Sequence, residues 1–407
     1  MSGTIDRVVI VGGGLAGGTA AFALREAGFA GSVTLVGDEP HHPYERPGLS
    51  KAYLRGEEPA EKLLVQPEAD YAAQDVTLLS GRRAVIVDRA DRLLELEDGG
   101  RLSYDRLILA TGASPRTIGG APDLRGVHVL RTIEDADAIR AAVGSADRVV
   151  VVGGGWIGTE VAASLRQLGA DVTLVTNLPR PLERVLGPEI GDVIAGIHRD
   201  RGVTLESGNV TGLVGDAQST GVLLAGGRTV PADLVVIGVG VVPRIELAQR
   251  AGLEIVDGGV AVDDRLRSSD PAIYAAGDIA AAQHPRMGRR LRIEHWDNAK
   301  RQGRAAARNA IGLDEPYDRT PFFFSDQFDL GIEVRGLPGK GGEVVTRGDV
   351  ASGKFLAFWL DDGRVTAALN ANIWDAGKEL GAIVRNGAVI DPERLADPGA
   401  PLTPVAA

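Results

Sequence analysis

One stretch of this 407-residue chain occurs twice. Residues 6–14 read DRVVIVGGG and residues 147–155 read DRVVVVGGG, and the same four residues, VTLV, follow the two copies at 33–36 and 172–175. Each copy reads as a buried strand, a glycine loop, a helix rich in small residues and a second strand. The repeat therefore predicts an α/β chain that builds one kind of unit twice.

The first copy has the element order that binds a dinucleotide. The glycines of its G-x-G-x-x-G loop are Gly12, Gly14 and Gly17, and the acids after its second strand are Asp38 and Glu39. The first glycine permits a tight turn, the second lets the backbone approach a pyrophosphate, and the third packs helix on strand. Phosphates bind at the helix N-terminus, and the acid holds a ribose. An ordinary glycine-rich turn is the alternative, which the flanking elements disfavour.

The second copy keeps the loop and loses the acid. Its loop glycines are Gly153, Gly155 and Gly158. Thr176 stands directly after the second VTLV, at the strand end where an acid holds the 2′-hydroxyl of NAD. No arginine replaces that acid, but Arg180 and Arg184 follow closely and could reach the 2′-phosphate of NADP.

Composition excludes several classes of protein. The net charge of −11 disfavours binding to nucleic acid. No apolar run reaches the roughly 18–20 residues that span a bilayer, and the N-terminus has no signal-peptide pattern, so we expect a cytoplasmic protein without membrane attachment. With no cysteine, the chain has no disulfide, thiolate metal site or thiol nucleophile. His41-His42 lacks further ligands, so no metal site is predicted.

The pattern changes after about residue 320. Residues 322–370 suit strands, with Asp362-Gly363 as a hairpin turn, and a helix is predicted near 375–385. Earlier, residues 203–230 suggest an antiparallel meander. The fold class is therefore α/β, with two Rossmann-like dinucleotide-binding domains and a small α+β C-terminal domain.

Several longer motifs resemble those of one family. They are PYERPGLSK (43–51), ATGASPR (110–116), GGGWIGTEVAASL (153–165), YAAGD (274–278), IEHWDNA (293–299) and PFFFSDQFD (321–329). Together they resemble the oxygenase-coupled NAD(P)H:ferredoxin reductases, flavoproteins with a glutathione-reductase-like fold. The resemblance implies a split FAD domain at 1–112 and 243–321, an NAD(P) domain at 113–242 and an interface domain at 322–407.

The same resemblance assigns cofactor contacts residue by residue. It implies that FAD is bound by Gly12, Gly14, Gly17, Asp38, Glu39, Arg46, Lys51, Val85, Thr111, Gly112, Arg116, Gly277, Asp278, Glu294, His295, Trp296 and Phe324. It implies that NAD(P) is bound by Gly153, Gly155, Trp156, Ile157, Gly158, Glu160, Thr176, Arg184 and Gly240. Two departures stand out, since relatives usually have a proline at Gly48 and a tryptophan at Phe324. Family habit favours NADH, with NADPH use possible.

Lys51 and Glu160 are the predicted catalytic pair. Glu160 lies in what we expect to be the first turn of its helix, where an acid also compensates the helix dipole by about 0.3–1 kcal/mol. In the resembling reductases this glutamate meets the loop lysine beside flavin N5, where the nicotinamide docks. We therefore expect the pair to shape the hydride-transfer site, with a purely structural ion pair as the alternative.

Electrons then have to leave the flavin without a cysteine relay. The resemblance implies a one-electron iron–sulfur ferredoxin as the acceptor, which is typically acidic and needs a basic docking surface. The segment 286–308 is basic, and we expect docking near Arg289, Arg290, Arg301 and Arg304, with a solvated helix face as the alternative. We expect a monomer or a weak homodimer.

Two other functions stay open at this point. One is a flavin component that serves a rubredoxin, a quinone or a nitrite-reductase-type partner. The other is an NADH-binding flavoprotein similar to apoptosis-inducing factor, whose role is binding and not turnover.

Overall fold

The computed structural model describes residues 4–118, 124–339 and 342–402. The α-helices of this part of the chain are α1 (Leu15–Glu26), α2 (Glu68–Ala73), α3 (Ile133–Val143), α4 (Trp156–Gln167), α5 (Glu183–Asp200), α6 (Glu246–Arg250), α7 (Trp296–Ala310), α8 (Gly377–Asn386) and α9 (Pro392–Ala396). Single 3₁₀ turns cover Pro47–Ser50, Ala60–Leu63 and Gly277–Ile279.

The β-strands are β1 (Arg7–Val11), β2 (Ser32–Val36), β3 (Val76–Leu79), β4 (Ala84–Asp88), β5 (Leu93–Leu96), β6 (Arg101–Ser103), β7 (Arg106–Leu109), β8 (Ala113–Pro115), β9 (Val127–Val129), β10 (Arg148–Val152), β11 (Asp171–Thr176), β12 (Thr204–Ser207), β13 (Val210–Val214), β14 (Gly221–Leu224), β15 (Thr229–Pro231), β16 (Leu234–Ile237), β17 (Val241–Pro243), β18 (Ile255–Val256), β19 (Gly259–Val262), β20 (Ile273–Ala275), β21 (Ala280–His284), β22 (Arg289–Leu291), β23 (Phe322–Gln327), β24 (Leu330–Gly336), β25 (Glu343–Asp349), β26 (Lys354–Asp361) and β27 (Arg364–Ala371).

The chain forms two compact units. Unit one consists of Met1–Arg46, Pro59–Ser114 and Val241–Arg319. Unit two consists of Pro47–Glu58, Pro115–Gly240 and Thr320–Ala407, so the C-terminal strands belong to the same unit as the second glycine loop. The four domain ranges expected from the sequence remain a prediction.

Unit one is built on a five-stranded sheet in the order β20-β7-β1-β2-β3. All its strand pairs are parallel. Val8, Ile10 and Leu35 are almost fully buried, as expected for parallel strands that are covered on both faces. Two smaller sheets, β4-β5-β6 and β18-β19-β21-β22, complete this unit.

Helices α1 and α7 pack closely in unit one. A Cβ on Gly303 of α7 would lie 2.2 Å from the carbonyl oxygen of Ala16 in α1, so the two backbones approach where only glycine fits. This contact fixes α7 beside the start of α1. The IEHWDNA motif, at the start of α7, is thereby placed in the same unit as the first glycine loop.

Unit two contains a matching five-stranded parallel sheet in the order β12-β11-β10-β16-β9. Its second sheet is antiparallel, in the order β23-β24-β27-β26-β25. The buried face of α5, which includes Leu186, Ile190 and Ile194, shares one apolar core with Ile332 and Trp359 of that antiparallel sheet. Burial of this helix face anchors the antiparallel sheet to the second nucleotide-binding fold.

The duplicated α/β unit predicted from the repeat is confirmed, and the helix predicted near 375–385 is observed as Gly377–Asn386. The meander predicted over 203–230 is partly wrong. Thr204–Ser207 pairs in parallel with Asp171–Thr176 at the edge of the main sheet, and only β13, β14 and β15 form the antiparallel meander. A helix separates the two parallel strands, as a parallel crossover requires.

That helix, α5, was not predicted from the sequence. Gly187 and Pro188 interrupt its pattern, and Gly187 indeed leaves helical geometry with φ of +83°. The helix therefore consists of two segments joined at a kink. Proline has no N–H to donate and glycine tolerates a positive φ, so both residues are accommodated where the helical hydrogen bonds are interrupted. Helix α3 was also not assigned, although Thr132 and Asp135 form a capping box at its start.

Candidate functional site

The first glycine loop closes tightly on its own strands. Gly12 has φ of +124°, and its N–H donates to the carbonyl of Val36 at 2.7 Å. A Cβ on Gly12 would lie 2.0 Å from the carbonyl oxygen of Ala110, and one on Gly17 would lie 2.0 Å from that of Gly12. Both positions therefore require glycine for backbone packing.

Gly14 has a different environment. No atom lies within 4 Å of the position that its Cβ would take, and Gly14 caps α1 without a side-chain hydrogen bond. No acid stands in the first turn of α1. The start of α1 therefore has no side-chain cap and no negative charge of its own in its first turn, an arrangement that fits the pyrophosphate of a dinucleotide such as FAD.

The two acids after β2 are both paired. Glu39 accepts hydrogen bonds from Arg46, at 2.6 Å, and from the Tyr44 hydroxyl. Burial alone would raise the pKa of the Glu39 carboxyl, but the charge of Arg46 and the hydrogen bonds from Tyr44 and Arg46 outweigh burial and leave that pKa below its ordinary value. Asp38 forms an ion pair with Arg244 at 3.0 Å.

Asp278 lies near the same end of unit one. Gly277 has φ of +79°, its N–H donates to Gln302 of α7 at 2.9 Å, and its Cβ would contact Ala16 at 3.3 Å. The turn that carries Asp278 is thus held against the start of α1. The negative charge of Asp278 also interacts with Arg46.

The other FAD contacts that were predicted in unit one are spread along it. Val85 lies in strand β4, and Thr111 and Gly112 lie in the loop that follows β7. Glu294 and His295 directly precede α7, and Trp296 is its first residue. Thr111 donates to the carbonyl of Arg244 at 2.6 Å. Lys300 lies 4.7 Å above the centre of the Trp296 ring.

The second glycine loop repeats the geometry of the first. Gly153 has φ of +120° and donates to Val175 at 2.8 Å, and a Cβ on it would lie 2.3 Å from the carbonyl oxygen of Gly238. A Cβ on Gly158 would lie 1.8 Å from the carbonyl oxygen of Gly153. Gly155 faces open space. Trp156 and Ile157, both half-buried, begin α4.

The end of β11 is closed by the loop that follows it. Thr176 is 4 % exposed, and its hydroxyl accepts from the N–H of Leu178 at 3.2 Å. Arg180 is held by Asp192, at 2.5 Å, and by Glu183. Of the two arginines that could reach a 2′-phosphate, Arg180 is therefore paired with carboxylates, whereas Arg184 is exposed at the start of α5.

The structure brings Lys51 and Glu160 together inside unit two. Lys51 Nζ lies 2.9 Å from Glu160 Oε1, with side chains that are 14 % and 6 % exposed. Glu160 also accepts from the hydroxyls of Ser50, at 2.5 Å, and Ser325, at 2.7 Å. The carboxylate is therefore buried with one cation and two neutral donors, the condition under which a buried charge is stable.

The expected position of Glu160 in the first turn is wrong. It is the fifth residue of α4, and the first turn of that helix contains no acid. Because the helix dipole acts mainly within the first turn, compensation of the dipole does not explain this carboxylate. Its partners come instead from the loop around Lys51 and from strand β23.

Three more predicted residues lie in unit two. The Phe324 ring centre lies 5.4 Å from Lys51 Nζ, so this aromatic ring contacts the predicted catalytic lysine. Arg116 donates its backbone N–H to the carbonyl of Gly240 at 2.9 Å. Gly240 is exposed, with φ of +103°.

Sequence analysis missed four polar residues at this site. Ser50, Ser325, Gln327 and His198 are all less than 5 % exposed. Ser325 and Gln327 share one face of β23, because side chains two apart in a strand point the same way. Their spacing in PFFFSDQFD places them on one face of the strand, but the sequence does not show that this face is buried. His198 gave no signal, since it lies in a helix that was not predicted.

The predicted docking arginines in unit one differ from one another. Arg289 is exposed on β22, whereas Arg290 donates to the carbonyls of Val262, at 2.6 Å, and Ala281, at 3.0 Å. Arg301 pairs with Asp297 at 3.1 Å and Arg304 pairs with Glu26 at 2.6 Å. Arg290 therefore stabilises the fold, and the positive charges of Arg301 and Arg304 are partly neutralised.

Within the described ranges, no group of three or more histidine and acidic side chains could hold a metal ion. In that same part of the chain, no helix has the length and apolar character to cross a membrane.

The two parallel sheets and their glycine loops define an α/β oxidoreductase with two dinucleotide-binding folds. Residues 6–303 match the family of pyridine nucleotide-disulphide oxidoreductases, and residues 322–406 match the reductase C-terminal family. Because the first match covers more than half of the chain, the protein belongs to the pyridine nucleotide-disulphide oxidoreductase family.

Individual relatives agree with this assignment. The ferredoxin–NAD(+) reductase component of the anthranilate 1,2-dioxygenase system of Burkholderia cepacia is 41 % identical, over 97 % of each chain. A ferredoxin–NAD(P)(+) reductase of a Sphingomonas species is 37 % identical, over 99 % of this chain and 98 % of its own. A putidaredoxin reductase, solved as a covalent complex with putidaredoxin, has a TM-score of 0.93 and 38 % identity, over 98 % of this chain and 97 % of its own.

Proposed function

We propose that this protein passes electrons from a reduced nicotinamide, by way of FAD, to an iron–sulfur ferredoxin that serves an oxygenase. The observation that carries the proposal is the buried cluster around Lys51 and Glu160. The family is named for disulphide chemistry, yet the 407 residues contain no cysteine. An acceptor outside the chain is therefore required, as in the reductase components that the chain resembles.

Bound FAD supplies the redox chemistry, because it takes a hydride from the nicotinamide and gives up electrons singly. The glycine loop at Gly12, Gly14 and Gly17 would hold the FAD pyrophosphate, and the loop at Gly153, Gly155 and Gly158 would hold that of the nicotinamide. Glu39, kept ionised by Arg46 and Tyr44, would accept from a ribose hydroxyl.

Lys51 and Glu160 would set the electrostatics at the reacting atoms. Lys51 carries a positive charge that is mostly removed from water and is fixed by Glu160 Oε1. A fixed cation stabilises negative charge that develops during transfer, and it does so without reorganisation of solvent. Ser50 and Ser325 keep the carboxylate in place, so the position of the lysine is determined by the fold and not by the substrate.

Stopped-flow reduction of the bound flavin by NADH tests this role. We expect Lys51→Ala and Glu160→Ala each to slow the limiting rate by about 100-fold, within the range that a preorganised electrostatic group contributes. Glu206→Ala is the matched control, since it breaks an ion pair with Arg228 in the same unit and neither residue is assigned to a cofactor. Unchanged limiting rates in both cluster variants would contradict the proposal.

We propose NADH as the natural donor, with NADPH accepted less well. Arg180 is already held by Asp192 and Glu183, so only Arg184 is available for a 2′-phosphate. One exposed arginine gives a weaker phosphate site than a bidentate or clustered one. Steady-state comparison of kcat/KM with the two nicotinamides decides the point, and a tenfold preference for NADPH would overturn it.

For the ferredoxin we propose a docking surface in unit one around Arg289, Arg301 and Arg304, without Arg290. Charge reversal of Arg289 should raise the KM for an acidic ferredoxin at low ionic strength, and the effect should fade as salt is added. Cytochrome c reduction that depends on ferredoxin measures it. Charge reversal of Arg290 should instead lower stability, because it breaks hydrogen bonds to two backbone carbonyls.

A further inference from the structure

A line of buried hydrogen bonds begins at Glu160 Oε1, the same oxygen that pairs with Lys51, and ends at His198. Ser325 Oγ donates to Glu160 Oε1 at 2.7 Å, and Gln327 Nε2 donates to Ser325 Oγ at 3.1 Å. Gln327 Oε1 then lies 2.9 Å from His198 Nε2. The three outer residues, Ser325, Gln327 and His198, are each no more than 1 % exposed. Four polar side chains in a row are thus shielded from water inside unit two.

We propose that Gln327 and His198 are positioning residues for the hydride-transfer site: they orient Ser325 toward Glu160 and thereby fix the carboxylate that holds Lys51. This inference rests on the proposed function, because it assumes that Lys51 and Glu160 act at the reacting atoms. It assigns to the C-terminal strand β23 and to helix α5 a direct part in shaping that site.

The direction of the hydrogen bonds follows from the donors present. A carboxylate can only accept, so Ser325 must donate its proton to Glu160. The Ser325 oxygen then accepts from the amide N–H of Gln327, which leaves the amide oxygen to accept from His198. Each donor along the line points toward Glu160, and hydrogen bonds aligned in this way polarise and strengthen one another.

His198 determines whether this direction is possible. Its Nδ1 atom is buried and has no hydrogen-bond partner among the described residues, so a proton there would be an unsatisfied buried donor. The neutral ring therefore carries its proton on Nε2, which faces Gln327. Burial lowers the pKa of His198, and the hydrogen bond with Gln327 opposes this only in part, so the ring is neutral at physiological pH.

The far end of the line is anchored by packing. His198 lies in α5, and its ring meets the Phe328 ring edge-on with centres 5.3 Å apart. Arg201 lies 5.7 Å above the centre of the Phe328 ring and pairs with Asp329. The helix is thus held against the turn after β23. Any shift of α5 relative to β23 would change the hydrogen bond between His198 and Gln327. Through Ser325, that change would alter the position of the Glu160 carboxylate.

Paired variants test the inference through rates. Gln327→Leu and His198→Leu should lower the limiting rate of flavin reduction by about tenfold and leave the Kd of the nicotinamide unchanged, because the cofactor contacts are intact. His198→Gln keeps an N–H donor near the place of Nε2 and should restore most of the rate. Asn370→Leu is the matched control, since Asn370 is equally buried in the same antiparallel sheet but bonds to Arg335 and Glu333.

The tautomer of His198 gives a readout that does not depend on activity. With six histidines in the chain, ¹H–¹⁵N correlation spectra of the imidazole rings of the holoenzyme can resolve it. We expect the neutral Nε2–H form, and we expect its N–H resonance to move in Glu160→Gln but not in Asn370→Leu. A proton on Nδ1 would reverse the bond with Gln327 and overturn the inference, even if a leucine variant failed to fold.

The rates separate this inference from the proposed function. If Glu160→Ala slows flavin reduction while Gln327→Leu and His198→Leu react at the wild-type rate, the positioning role is overturned and the proposed function stands. If Glu160→Ala and Lys51→Ala also react at the wild-type rate, the proposed function fails, and the positioning role fails with it. A slow His198→Gln, equal to His198→Leu, would likewise count against the hydrogen-bonded line.

Discussion

The two glycine loops have almost the same backbone geometry. Gly12 has φ of +124° and Gly153 has φ of +120°. The N–H of Gly12 donates to the carbonyl of Val36 at 2.7 Å, and that of Gly153 donates to the carbonyl of Val175 at 2.8 Å. The side chains around these loops have little in common. At the fifth residue of the helix, α1 has Thr19 and α4 has Glu160. The two loops thus have the same backbone geometry. The side chains around them differ, and these side chains determine the different chemistry that we propose for the two units.

The strand ends show the same contrast. Unit one places Glu39 three residues after β2 and keeps it ionised with Arg46 and Tyr44, which suits a cofactor that stays bound. Unit two places Thr176 at the end of β11 and turns its hydroxyl to the N–H of Leu178. A carboxylate that accepts hydrogen bonds from a ribose favours retention of the bound nucleotide, and the absence of such a carboxylate favours its exchange. The difference fits the proposed roles of the two units, with a resident cofactor in unit one and an exchanging substrate in unit two.

The largest expected effect comes from adding one methyl group to each loop. Gly12→Ala and Gly153→Ala would place a Cβ 2.0 and 2.3 Å from a carbonyl oxygen, in a strained backbone region, so we expect about 3 kcal/mol of destabilisation in each. Chemical denaturation measures this.

Gly14→Ala and Gly155→Ala are the controls, because both positions are open. They should fold normally, and they should weaken flavin retention and nicotinamide binding respectively. If Gly12→Ala and Gly14→Ala were equally stable, the distinction between packing and binding glycines would be wrong.

Restoring an acid to the second copy should have a smaller effect. Thr176→Glu places a carboxylate at the end of β11, where it would accept from the 2′-hydroxyl of NADH and repel the 2′-phosphate of NADPH. We expect the ratio of kcat/KM for NADH over NADPH to rise about tenfold, and Arg184→Ala should raise it further. No change in the ratio would show that the nicotinamide ribose lies away from residue 176.

Removing the charge at Glu39 should lower the free energy of unfolding at pH 7 by about 1 kcal/mol, the scale of one net intramolecular hydrogen bond. The pKa of Glu39 is lower in the folded protein than in the unfolded chain, so its stabilisation is present above the unfolded pKa and is lost as pH falls through the folded pKa. Denaturation of the wild type and Glu39→Gln between pH 7 and pH 3 measures it. A stability gap that grows toward acid pH would contradict this assignment.

The smallest effect is expected at Thr19. Its hydroxyl is buried and has no hydrogen-bond partner among the described residues. Thr19→Val keeps the shape and removes a polar group that burial penalises, so we expect stability to be unchanged or to rise by about 0.5 kcal/mol. At the equivalent position of α4, Glu160→Ala should be strongly deleterious. Thermal unfolding and flavin reduction of both variants compare the two positions directly.

The glycine loops were predictable because their rule is local. Gly12, Gly14 and Gly17 stand within six residues, and the strand, helix and acids around them are contiguous. The pairing of Lys51 with Glu160 joins residues that are far apart in sequence, so only the resemblance to relatives suggested it. The local sequence pattern also did not predict α5. Gly187 and Pro188 suggest the end of a helix, but they form a kink between two helical segments.

The outer part of the cluster could not be predicted for a related reason. Ser325 and Gln327 are ordinary polar residues until tertiary packing buries them, and His198 meets them only because α5 lies against β23. The docking arginines, which stay a prediction, show a different limit of sequence reasoning. A basic run in the sequence suggested one surface, but Arg290 donates inward to Val262 and Ala281.

The apolar core that joins α5 to the C-terminal sheet limits which segments can be exchanged between related reductases. Leu186, Ile190 and Ile194 would lose their cover if the chain were cut near residue 320, because Ile332 and Trp359 lie beyond that point. A chimaera that takes its C-terminal segment from another reductase would have to take the matching helix as well. The two segments are therefore expected to have evolved as one piece, although 119 residues of other sequence separate Asp200 from Thr320.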